Sequence, residues 1–181
     1  MKTAFNKNSL GFTLVEILVV LLIVVALTIL ILSGYSEGRP RLAVERTTEA
    51  FVADLYRARQ RGFSGVGYKI DEKVVGVDGH GIEIDLSAEQ GDGYYNMYVK
   101  GSSDKEIIER IEIENSVVIS NLSIGPYNRE KINIFFEKEG GVKVNGNPEN
   151  DVKIVFSSKN DSSIRRSVII DNKGVAKISY D

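Results

Sequence analysis

The chain has 181 residues, a formal charge of −2, a pI of about 5.6 and no cysteine. That length suits one domain of ordinary size with an appendage. The charge supplies no overall basic field of the kind nucleic acid demands, and the missing thiols exclude disulfides, thiolate metal sites and a cysteine nucleophile.

In chain order, the first element is the apolar run Phe12 to Leu32, whose only polar members are Thr13, Glu16 and Thr28. As a helix rising 1.5 Å per residue it is roughly 30 Å long, the thickness of a bilayer's hydrocarbon core. No face of it is polar, which argues against a core helix of a soluble domain. It is too long for the apolar region of a secretory signal, and no A-x-A-like site closes it. The flanks carry Lys2 and Lys7 on one side and Arg39, Arg41 and Arg46 on the other, so charge alone hardly orients it. Glu16 is the anomaly. A carboxylate within a membrane helix costs about 2.5–3.5 kcal/mol at the centre and less near an end.

The leader MKTAFNKNSLG, then Phe12, then Thr13-Leu14-Val15-Glu16, then an unbroken apolar helix resembles the class III signal of type IV prepilins and type II secretion pseudopilins. The resemblance implies cleavage by prepilin peptidase between Gly11 and Phe12, methylation of the new Phe12 amine, and Glu16 as the fifth residue of the processed chain. In a filament, the Glu16 carboxylate then meets the Phe12 amine of a neighbouring copy. A paired, hydrogen-bonded couple in a low dielectric is far less costly than either charge alone, and stranding one partner costs roughly 3–5 kcal/mol. The pair would lock the axial stagger of subunits. Val25 and Ser33 stand where many members have a glycine and a proline, so any loosened stretch is expected at Ser33 to Pro40, SGYSEGRP.

From Arg41 to Arg61, Val44, Thr48, Phe51, Leu55 and Ala58 recur at helical spacing and predict one apolar face. Pro40 suits the first turn and Gly62 a C-cap. Arg57, Arg59 and Arg61 fall where the helix macrodipole favours cations. Beyond Phe63 the pattern predicts strands at 67–70, 81–86, 94–100, 106–113, 117–124, 131–137, 142–144, 152–157, 164–171 and 175–179. Glu139-Gly140-Gly141 and Asp171 to Gly174 read as hairpin turns. The expected fold class is therefore α+β: a long hydrophobic helix continuing into an amphipathic one that covers an antiparallel sheet domain. The expected division is a cleaved leader at 1–11, a transmembrane and assembly helix at 12–32, an amphipathic helix region at 33–62 and an extracytoplasmic β-rich domain at 63–181. A helix ending ADLYRARQRG, the stretch FFEKEGG and the closing SVIIDNKGVAKIS resemble the GspH/FimT group of minor pseudopilins and minor pilins.

No catalytic residue, cofactor site or metal site is expected. His80, the only histidine, reads as a turn residue in VDGHGIE. Asn145 to Asp151, NGNPEND, offers hard oxygen donors for calcium but lacks EF-hand spacing. The triplets at Asn121 and Asn160 match a glycosylation sequon that is too common to decide anything.

As a family member the chain would be a structural minor subunit in the inner membrane, its C-terminal domain extracytoplasmic. Its partners would be prepilin peptidase, other pilins or pseudopilins, and an inner-membrane assembly platform. The alternatives are a DNA-binding minor pilin and a plain membrane-anchored domain. Loss of the leader's two lysines would take the net charge from −2 to −4, which argues against DNA.

Overall fold

The structure is a computed structural model and describes residues 13–70, 73–87, 93–101, 105–147 and 151–180. It divides into two units, Met1–Gly38 and Arg39–Asp181. The helix α1, Leu14–Ser64, contributes to both.

In the first unit, α1 is apolar around its whole circumference, and its described side chains are solvent-exposed. Leu14–Ile31 is long and apolar enough to cross a membrane. Thr28 satisfies its hydroxyl internally by donating to the Val24 carbonyl at 2.7 Å, the usual way a threonine sits in an apolar helix.

Ser33 to Pro40 is where any loosened stretch would fall. Helical backbone is continuous there, and Pro40 lies inside α1 rather than in its first turn. A proline withholds one backbone donor, and Gly34 and Gly38 each weaken a helix by only about 1 kcal/mol. Such a stretch is costly for a helix without being forbidden to it. Gly62 likewise does not end α1. The terminating residue is Gly65, whose φ of 58° is left-handed and whose N–H donates to the Gly62 carbonyl at 3.1 Å. Gly62 has a different job, because a Cβ there would lie 2.5 Å from the Phe136 carbonyl oxygen. The absent side chain lets α1 approach the sheet.

In the second unit, the predicted stripe is the buried one: Val44, Thr48, Phe51, Leu55 and Ala58 are all buried. Thr48 donates to the Val44 carbonyl at 2.6 Å, so its burial leaves no hydroxyl unpaired.

Among the described residues, twelve strands follow. β1 (Tyr68–Ile70) and β2 (Lys73–Val75) form a two-stranded antiparallel sheet. The first five-stranded sheet has the order β5-β4-β3-β8-β9, from β3 (Gly79–Asp85), β4 (Tyr94–Lys100), β5 (Lys105–Glu112), β8 (Lys131–Glu137) and β9 (Val142–Val144). The second has the order β12-β11-β10-β6-β7, from β6 (Val117–Ile124), β7 (Tyr127–Asn128), β10 (Val152–Ser158), β11 (Arg165–Ile170) and β12 (Ala176–Ser179). Among the described residues every pairing is antiparallel.

The fold is thus α+β, as expected, with ten of the strands divided between two sheets rather than lying in one under the helix. One apolar cluster joins all three layers: the stripe of α1, Ile82, Ile84, Met97, Ile132, Ile134 and Phe136 of the first sheet, and Ile119, Leu122, Ile154, Phe156, Val168 and Ile170 of the second. Phe51 stands at the junction. Its ring packs edge-on to Tyr95 of β4 at 5.0 Å and against Phe156 of β10 at 5.4 Å. Tyr95 in turn donates its phenol to Asp54 at 2.6 Å, and Arg57 bridges Asp54 at 2.8 Å to Glu109 of β5 at 3.3 Å. Burial, and then the hydrogen bond to Asp54, push the Tyr95 phenol well above its usual value, so the hydroxyl remains a donor.

Candidate functional site: the start of the apolar helix

The sequence-predicted site consists of Gly11, Phe12 and Glu16. Gly11 and Phe12 lie outside the described residues. Glu16 stands in the first turn of α1, exposed, where the helix dipole favours an anion.

Its backbone shows a feature that the resemblance did not single out. The Glu16 N–H donates to the Thr13 hydroxyl at 3.2 Å and to the Thr13 carbonyl at 3.0 Å, and the Ile17 N–H reaches the same carbonyl at 3.3 Å. Thr13 is therefore the N-cap and Glu16 the third helical residue, the spacing of a capping box. The signature T-x-x-E was legible in the sequence as a helix start. Two consequences follow. The helix begins immediately after Thr13, and the bonds that cap it are made by the Glu16 backbone N–H rather than by its carboxylate. Among the described residues, no cation pairs with its carboxylate.

The other candidate positions resolve differently. His80 is not a turn residue: it lies within β3, paired with Val99 of β4 and Phe136 of β8, and is 2% exposed. The flanking Gly79 and Gly81 explain its place. A Cβ at Gly81 would lie 2.5 Å from both the Ile134 carbonyl oxygen and the Tyr98 ring, so the outward face of this strand is closed over by neighbours while His80 turns inward. In the NGNPEND stretch, Asn145 has a φ of 49°, accepts from the Asn133 N–H at 2.8 Å and donates to the Lys131 carbonyl at 3.3 Å. It is thereby a turn residue with its amide engaged, while Pro148, Glu149 and Asn150 lie outside the described residues. Among the described residues, no group of three or more His, Cys, Asp or Glu could hold a metal.

Sequence reasoning also missed a charge cluster on the outward face of the first sheet. Glu83 of β3, only 6% exposed, is ion-paired with Lys105 of β5 and, at 2.6 Å, with Lys131 of β8. Lys131 also holds Asp85 at 2.8 Å, and Lys143 holds Glu137 at 2.5 Å. Burial raises the Glu83 carboxyl, but hydrogen bonds from Lys105 and Lys131 outweigh it and the net shift is downward. The Lys131 and Ser87 hydrogen bonds hold Asp85 down to about 2. The lysines scattered through β5, β8 and β9 are therefore closed by carboxylates across the strands, an arrangement that alternation along one strand does not reveal.

No protein-family model matches the chain, and no curated protein matches it. Among solved structures, the crystal structure of the type IV minor pilin FimU of Pseudomonas aeruginosa strain PAO1 is similar over 75% of this chain and 92% of that one, at 11% identity and a TM-score of 0.47.

Proposed function

We propose that this chain is a minor subunit of a type IV pilus or type II secretion pseudopilus of the GspH/FimT kind. On this reading, prepilin peptidase cuts between Gly11 and Phe12, Phe12 is methylated, and the subunit assembles with other pilins or pseudopilins through α1 from an inner-membrane platform. The C-terminal unit lies outside the cytoplasm, and no enzymatic step is assigned to it. The observation that carries the reading is the sequence Gly11-Phe12-Thr13-Leu14-Val15-Glu16, opening the exposed, membrane-length apolar stretch Leu14–Ile31 of α1. A surface so nearly apolar on such a helix requires lipid or other apolar helices around it. The paired lysines of the first sheet support the structural role over DNA capture, because a phosphate backbone needs cations not already neutralised.

The test is the intact mass of the membrane-extracted protein after expression with and without a prepilin peptidase. The expected product lacks Met1 to Gly11 and carries one added methyl on Phe12. An unaltered full-length chain in both would leave a plain membrane-anchored domain.

A further inference from the structure

The outward face of β3 carries no side chain at Gly79 and Gly81, and two aromatic rings from the neighbouring strands lie over the gap. Tyr98 of β4 and Phe135 of β8 both pair with Gly81 and so share its face of the sheet. A Cβ at Gly81 would lie 2.5 Å from the tip of the Tyr98 ring, and one at Gly79 would lie 2.7 Å from the tip of the Phe135 ring. The two rings are nearly parallel, 9° apart, with centroids 6.1 Å from each other. They make an aromatic floor across the middle of the first sheet. The Lys105 ammonium stands 4.4 Å from the Tyr98 centroid, and Tyr98 is buried. Phe135 is only half-buried. Two surface depressions of about 290 and 150 Å³ meet at it, and Lys100 and Glu137 line both.

The charged groups around Phe135 are of both signs. Lys100, Lys138 and Lys143 are matched by Asp78, Glu137 and Glu139 in the lining of the two depressions. A lining of balanced charge gives a polyanion or polycation no advantage. Lys143 pairs with Glu137 through Oε1, which leaves Oε2 to accept a further hydrogen bond. The Lys100 ammonium lies 5.9 Å from the Phe135 centroid and pairs with no carboxylate among the described residues. An exposed ring face flanked by a free donor and a free acceptor suits a ligand that is apolar on one side and hydroxylated at its edge. A neutral pyranose has that chemistry. The C–H groups of one face, partly positive, rest on the negative face of an aromatic ring, while its hydroxyls both donate and accept. We propose that Phe135 is the floor of a binding site for a neutral glycan. Lys100 donates to the hydroxyls of the sugar seated on the ring, and Glu137 accepts from them. The second depression receives the next sugar unit. Gly79 and Gly81 belong to the site, because side chains there would displace the rings. The site is independent of cleavage at Gly11 and of assembly through α1.

The experiment uses the full chain in micelles of a detergent without a sugar headgroup, and reads saturation-transfer NMR from protein to ligand. The probes are cellotetraose, maltotetraose and chitotetraose. They are set against adenosine monophosphate, a planar base with a phosphate, and a heparin tetrasaccharide, a polyanion. The expected result is saturable transfer to the ring C–H protons of at least one neutral tetrasaccharide. Phe135→Leu keeps an apolar side chain in β8 but no ring, and should weaken that binding about tenfold. Lys100→Met, at an exposed position, should weaken it about fivefold. Tyr127→Ala removes an exposed ring from β7 of the second sheet and should leave the affinity unchanged. Absence of saturable transfer to all three neutral tetrasaccharides would overturn the site, as would undiminished binding by Phe135→Leu. So would an equal loss in Tyr127→Ala, or tighter binding of adenosine monophosphate or the heparin tetrasaccharide than of the neutral glycans.

Discussion

Glu16 stands three residues after the N-cap Thr13, and the proposed pairing of its carboxylate with Phe12 can be tested apart from helix initiation. A glutamine at this position can still complete a capping box but cannot pair with an amine as a charge. Glu16→Gln is therefore expected to leave processing and membrane insertion intact while reducing the amount of subunit in sheared filaments. Glu16→Ala should add a modest loss of helix initiation. Quantitative immunoblots of membrane and filament fractions measure both, and normal incorporation of Glu16→Gln would remove the proposed pairing with Phe12. At the other end of the chain's chemistry, Gly81 is a steric requirement. Its Cβ would meet backbone oxygen and a buried tyrosine ring, so Gly81→Ala is expected to cost about 1–3 kcal/mol in urea unfolding, as overpacking does. Neither effect needs a change in overall fold.

Among elements, α1 in the second unit packs through a buried stripe in which Phe51 touches a residue of each five-stranded sheet. Phe51→Ala should destabilise that unit by about 3–5 kcal/mol, because the cavity it leaves borders both layers and neither can close it alone. Tyr95→Phe keeps the ring contact and removes only the hydrogen bond to Asp54, which Arg57 still pairs. The expected loss is about 1 kcal/mol. Urea titrations of the two variants, run side by side, distinguish packing from polar anchoring: losses of equal size would contradict this division. The helical stripe was legible from spacing because a 3.6-residue period survives wherever one face is buried. The ends of α1 were not. Gly62 looked like a cap, but its need is a close approach to Phe136, a neighbour far away in sequence.

On the scale of the whole molecule, acid should weaken the second unit through the first sheet's outward face. Glu83 and Asp85 are held below their ordinary values of 4.5 and 3.8 by lysines and, for Asp85, also by Ser87. Their stabilisation is present above those values and lost as pH falls through the folded ones, down to about 2 for Asp85. Lys131→Gln should flatten that low-pH limb; urea midpoints at several pH values below 5 would show it, and an unaltered limb would refute it. The sequence by itself determined the elements. Continuous apolarity marked the membrane-length helix, a helical period marked the amphipathic stripe, and alternation with glycine turns marked nearly every strand, because each of these is written in neighbouring residues. It also marked Gly11, Phe12 and Glu16 as the positions to test. Only the tertiary structure decided that ten strands divide between two sheets, that Lys105 and Lys131 converge on Glu83, and that His80 is buried rather than in a turn. Those facts depend on which strand lies beside which, and strand pairing is set by contacts between residues far apart in the chain, which local pattern does not encode.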